Sequence, residues 1–150
     1  MASITTHSPS KSQVTFGKLF WVGPLSIGVT FLADLLVRTL ATTYYGVPER
    51  FVYLQALFLM GSIAFFGVLA TLVFVLVVRF ARRPVRLYCI LAGIALLVSF
   101  LNPIMALSGL LSVPGMNLHI FWTMIVMHCV AALIMVSLLI RLSVTSKREH

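Results

Sequence analysis

Residues 69–100, LATLVFVLVVRFARRPVRLYCILAGIALLVSF, hold two long apolar runs separated by one short basic segment. Neither run alternates polar with apolar residues, and each continues well beyond the length of a barrel strand, so helices are expected and strands are not. The segment between them, RFARRPVR (79–86), places Arg79, Arg82, Arg83 and Arg86 around Pro84 and reads as a turn. A span, a basic turn and a second span are the repeating logic of a multi-pass membrane protein.

The rest of the chain follows the same logic. Of its 150 residues 61% are hydrophobic and only 9% are charged, with a mean hydropathy of +1.10. A soluble domain carries about 25% charged residues to cover its surface, so this chain belongs in a bilayer. Four apolar segments, at about 19–41, 52–78, 87–107 and 118–142, each reach the length needed to cross ~30 Å of hydrocarbon. The second is longer than required and is expected to tilt or protrude. The fold class is therefore all-α, a four-helix transmembrane bundle. Residues 1–17 read as a disordered cytoplasmic tail, 18–143 as the transmembrane domain and 144–150 as a second cytoplasmic tail. The run from Leu19 to Ala41 exceeds a signal-peptide core, and no clean small-residue cleavage site follows it, so it is read as a retained first span.

Charge sets the orientation. Lys11, Lys18, the four Arg of the turn, Arg141, Lys147 and Arg148 make nine positive residues on one side. The other side has Arg50, Arg38 at the end of the first span, and no charge in SGLLSVPGMN (108–117). The positive-inside rule then puts both termini in the cytoplasm, N-in and C-in. The formal net charge of +8 is spread over span ends, not gathered in a groove with stacking aromatics, which argues against nucleic acid. Tyr44, Tyr45, Phe51 and Tyr53 are expected in an outer aromatic belt, and Trp21 at the inner interface.

Inside the membrane the polar residues are few and patterned. Ser26, Thr30, Asp34 and Arg38 recur every four residues and form one stripe of the first helix, which should face other helices. Asp34 and Arg38 are spaced for an intrahelical ion pair, and Arg38 can snorkel to the outer interface. In span three Ala92, Ala95, Ser99, Asn102 and Ala106 make a seam of small and polar residues suited to close helix packing. Pro103 cannot donate a backbone hydrogen bond, so the Ser99 carbonyl is released beside Asn102 as either a packing kink or a polar ligand site. His128 lies about 15 Å below the outer end of span four, Asp34 about 10–12 Å and Asn102 about 8–10 Å, so the three are expected to meet in the outer half of the bundle. Asp34 is a ligand or proton site or a structural charge. His128 either titrates near neutral pH or hydrogen-bonds across helices. The four Arg of the turn serve orientation, with anionic lipid headgroups as a further contact.

No catalytic motif appears: there is no H-E-x-x-H, no G-x-S-x-G, no glycine-rich phosphate loop and no Cys or His metal spacing, and no cofactor is expected. His119 is nine residues from His128, on the opposite face, so the two do not form a metal pair. Cys89 and Cys129 fall at different depths and read as small apolar side chains.

Residues 69–100, then Pro103 and MHCVAALIMVSLLIRL (127–142), resemble a family of bacterial four-span proteins of about this length, a domain of unknown function. The likeness runs from span one to Leu142 and is most specific at Arg82-Arg83-Pro84-x-Arg86, at Ser99 with Pro103, and at Met127-His128 with Ala131-Ala132. The resemblance implies a bacterial cytoplasmic membrane and no particular activity. It also implies an amide more often than a carboxylate near Asp34, which favours packing or binding there over proton coupling. Three functions are open: a small carrier or binding protein, built as a homo-oligomer, in which Asp34, Arg38, Ser99, Asn102 and His128 hold a small ligand or a proton; a non-catalytic accessory subunit partnered by another membrane protein, with a structural ion pair; and a membrane enzyme acting on a lipid or quinone through His128.

Overall fold

The computed structural model describes residues 13–14, 16–48 and 50–145. Five helices follow in chain order: α1 (Phe16–Tyr45), α2 (Ala56–Phe80), α3 (Pro84–Ser99), α4 (Leu101–Leu107) and α5 (Leu118–Ser143). A single 3-10 turn, Val52–Leu54, sits in the loop between α1 and α2. The helices α1, α2, α3 with α4, and α5 make four segments long and apolar enough to cross a membrane. The protein is a multi-pass membrane helix bundle, as its runs of apolar residues require: in lipid each helix satisfies its own backbone polar groups.

Each expected span corresponds to one crossing, with its boundaries shifted by up to four residues. Span one is helical already from Phe16, and the second helix starts at Ala56. Most of both expected tails, residues 1–12 and 146–150, lies outside the described residues. What is described of them forms a short antiparallel pair, β1 (Gln13–Val14) with β2 (Val144–Thr145), in which Gln13 faces Thr145. Four spans return the chain to the side on which it began, and this pairing brings the two ends together there.

The third span is one crossing built from two helices. Pro103 has no N–H to offer the Ser99 carbonyl, and the chain loosens at Phe100, whose N–H is shared between Leu96 O and Leu97 O at 3.3 Å each. The Ser99 hydroxyl donates to Leu96 O at 2.7 Å, and α4 resumes with Ile104 N–H donating to Phe100 O at 3.1 Å. The kink predicted from Pro103 is thus a break one turn upstream, where the lost hydrogen bond would have closed.

The four spans form a ring. α1 packs most extensively on α5 and next on α2; α2 packs on α3, and α3 with α4 closes onto α5. Consequently α1 and α3 occupy opposite corners. Two apolar clusters mark the two ends: Val22, Phe74, Val77, Tyr88 and Leu139 at the end bearing the termini, and Ala41, Leu59, Ile63, Ile120, Met124 and Met127 at the other. The first loop joins the latter cluster by turning Val47, Phe51 and Leu54 inward. Gly46, at φ +61°, makes the reversal out of α1 that permits this. Phe51 is 6% exposed and so leaves the expected aromatic belt, because the loop folds over the bundle end, while Tyr44 and Tyr45 remain outside at 75% and 66%. Trp21 is likewise exposed.

The tightest crossing is at mid-bundle. A Cβ at Gly67 of α2 would overlap the Ile27 side chain of α1 and the Met135 methyl of α5. One turn away, Gly23 of α1 sits against the Thr71 side chain. Small residues in a membrane let backbones approach where no hydrophobic force drives association. The face Ala64–Gly67–Thr71 does this; Ala56 and Met60, on the same stripe, are exposed.

Candidate functional site

The polar stripe of α1 is buried as its spacing predicts. Ser26, Thr30 and Asp34 are 0%, 1% and 4% exposed, and Arg38 is half-buried. Because α1 and α5 run antiparallel, Val22 shares a cluster with Leu139 and Ala41 shares one with Ile120. That register brings Thr30 to the level of Ala131 and Asp34 to the level of Met127. A stripe of hydroxyl, hydroxyl and carboxylate therefore lies in the seam between α1 and an α5 face carrying Met124, Met127 and Met135.

Only part of this stripe is satisfied. The Ser26 hydroxyl donates to Val22 O, one turn back, at 2.7 Å. Thr30 Oγ1, Asp34 Oδ1 and Arg38 Nε are buried with no hydrogen-bond partner among the described residues. The ion pair expected between Asp34 and Arg38 does not form among the described residues. Asp34 is enclosed, whereas Arg38 is half-buried, with its Nε turned into the protein and the rest of its length partly exposed.

The other candidates lie apart from Asp34. His128 of α5 is one step around the helix from Met127, and its ring meets Phe100 with centroids 6.4 Å apart. Its Nδ1 donates to Met124 O at 2.7 Å, which leaves Nε2 as the nitrogen able to accept a hydrogen bond. Ser99 is half-buried and bonded to its own helix, and Asn102 is exposed on α4. Both belong to the corner of the ring opposite α1, so Thr30, Asp34 and Arg38 share one stripe of α1 without pairing, and Ser99 and Asn102 lie apart from them on the α3–α4 side, where Phe100 meets His128. Within the seam of span three only Ala106 is buried, whereas Ala95 faces outward with Asn102. Thr30 is the residue of the stripe that a search for charged or amide groups passes over; its i−4 spacing from Asp34 was the available signal.

Elsewhere, His119 stacks on Tyr45 with centroids 6.2 Å apart, away from His128. Cys89 and Cys129 are free thiols. Arg79, Arg82, Arg83 and Arg86 are all exposed at the α2–α3 turn. Among the described residues no group of three His, Cys, Asp or Glu side chains forms a metal-holding cluster. No protein-family model, no curated protein and no solved structure matches the chain.

Proposed function

We propose that this membrane protein is a small carrier or binding protein whose polar site is the α1–α5 seam, with Thr30, Asp34 and Arg38 as its working residues. One observation carries the reading: three buried polar atoms within three turns of one helix have no partner among the described residues. Such groups are costly in a bundle surrounded by hydrocarbon, and polar residues retained inside a membrane usually serve a ligand or ion path. A carboxylate oxygen accepts, a guanidinium N–H donates and a hydroxyl does both, so the seam suits a proton or a small polar species carrying both kinds of group. His128 is the next residue out, through Nε2; Ser99 and Asn102 belong to this reading only if α3 and α4 move toward α1.

Both termini are assigned to the cytoplasm on the nine positive residues of that side, in keeping with the resemblance to bacterial inner-membrane proteins. With Cys89 and Cys129 replaced by Ser, a Ser112→Cys variant is expected to react with a membrane-impermeant maleimide on intact cells, and Ser146→Cys only after permeabilisation. The opposite pattern reverses the assignment.

The site is tested in proteoliposomes holding a pH-sensitive dye under an imposed potential. The wild-type chain should conduct protons above protein-free vesicles, with Asp34→Asn lower by about tenfold or more. Should it not conduct, a melting-temperature screen of small zwitterions, anions and cations should find one that stabilises the wild type and neither Asp34→Asn nor Arg38→Gln. If both experiments come out flat, the reading fails.

A second reading, an accessory subunit, is favoured by the outward-facing small residues of span three, Gly93 and Ala95, with Asn102 beyond them. Native mass spectrometry from a mild detergent distinguishes it: a partner of different mass supports it, and a bare monomer counts against it.

A further inference from the structure

The α2–α3 turn and the outer face of α2 share an arrangement that the seam does not use. A shallow, open apolar groove of about 400 Å³ lies on the outer surface of α2, between the side chains of Ala64, Phe65, Val68, Leu69 and Leu72. Residues seven apart on a helix lie within about 20° of one another, so Phe65, Leu72 and Arg79 fall on one face. Leu76, 54% exposed, continues that face from the groove to the turn. At 1.5 Å per residue, the groove extends from about 10 to about 22 Å above Arg79. An acyl chain reaching down from the headgroup layer covers the same interval.

The basic end is built to match. Arg79 lies over the ring of Phe80, with its guanidinium carbon 5.8 Å from the centroid, which holds the charge at the level of the helix end. Only three residues, 81 to 83, separate α2 from α3. Arg82, Arg83 and Arg86 are therefore crowded around the first turn of α3, and all are exposed. Pro84 opens that helix, Arg83 supplies no side-chain cap, and the first intrahelical bond is Leu87 N–H to Arg83 O at 3.1 Å. The N–H groups of Val85 and Arg86 are thus at the end of a helix that favours negative charge. The turn itself contains no acidic residue: the three in the chain are Asp34, Glu49 and Glu149.

We infer that Arg79, Arg82, Arg83 and Arg86 and the α2 groove form a single binding site for an anionic phospholipid of the leaflet that faces the termini, with its phosphate at the turn and one acyl chain along Phe65, Val68 and Leu72. Positive residues that merely set orientation need only lie on the correct side of the membrane. Here Arg79 is aligned with an open apolar groove on its own helix, and Arg82, Arg83 and Arg86 lie next to it at the turn. The site shares no residue with the α1–α5 seam and stands or falls separately from it.

The test is lipid retention by the full chain in native mass spectrometry, with dioleoyl-phosphatidylglycerol or dioleoyl-phosphatidylcholine added to the detergent-purified protein. The wild type should retain one phosphatidylglycerol and release phosphatidylcholine. Arg79→Gln with Arg82→Gln should weaken retention roughly 10- to 30-fold, at about 1 kcal/mol for each basic residue near an anionic surface. Seven of the nine positive residues on that side then remain, so orientation is unchanged. Val68→Trp fills the groove without altering charge and should weaken retention as well; the position is exposed, and unchanged helicity by circular dichroism controls for folding. Glycerol phosphate, offered as headgroup alone, should compete poorly. Equal retention of the two lipids, or phosphatidylglycerol retention unaffected by either variant, overturns the site. Full competition by glycerol phosphate overturns the part played by the groove.

Discussion

The first and third spans make opposite use of similar material. Span three is the more hydropathic, at 2.2 against 1.7 for span one, yet 11% of its most apolar 18-residue stretch is buried against 28%. In water the more apolar helix would take the interior. In lipid hydropathy does not set the ordering, because hydrocarbon outside is as good a surrounding for Leu and Ile as the bundle core, and what is driven inward is what lipid cannot solvate. Asp34, Thr30 and Ser26 are therefore enclosed between α1 and α5, while Leu97, Val98 and Ile94 of α3 lie outside. The small residues Ala92 and Ala95 carry no penalty in lipid, and so permit close packing without compelling it.

The comparison is most directly broken at Asp34. If its enclosure is retained for function and not for stability, Asp34→Val should raise resistance to unfolding, by about 2–3 kcal/mol on the scale for a carboxylate within a membrane, while abolishing activity at the seam. Denaturant titration in detergent micelles measures this, and a loss of stability would mean that Asp34 has a partner that holds the bundle together. Next in size is Gly67→Ala. The added methyl meets Ile27 and Met135 and should destabilise the bundle by about 1–3 kcal/mol in the same assay, as overpacking does elsewhere. A neutral result would show that α1, α2 and α5 are less closely apposed at mid-depth. The smallest effect belongs to span three: Ala95→Leu, on an exposed position, should shift stability by less than about 0.5 kcal/mol. A loss comparable with that of Gly67→Ala, or a change in oligomeric state, would mark this face as covered by another protein.

How much could be read in advance divides along the same line. Periodicity reports which residues share a helix face, so the alignment of Ser26, Thr30 and Asp34, and their turn toward other helices, followed from spacing and from the cost of polar groups in lipid. Which helix they would meet did not follow. Asn102 and His128 lie at depths compatible with Asp34, but depth along the membrane normal is only one coordinate, and the ring order α1–α2–α3–α5 places Asn102 at the far corner. The ion pair failed for a similar reason: spacing of i to i+4 makes Asp34 and Arg38 neighbours on one face, but it does not fix the rotamers that would bring carboxylate and guanidinium together.

By itself the amino-acid sequence determined the all-α class, the four crossings and the buried face of α1, because each depends on local chain geometry or on the balance between lipid and water for single residues. The tertiary structure alone decided the pairing of α1 with α5, the break at Phe100 in place of a kink at Pro103, the inward fold of Phe51, and the isolation of Asp34 from Arg38, Asn102 and His128. These depend on which surfaces meet, and contact energies among apolar faces in a bilayer are too alike for a linear pattern of residues to rank them.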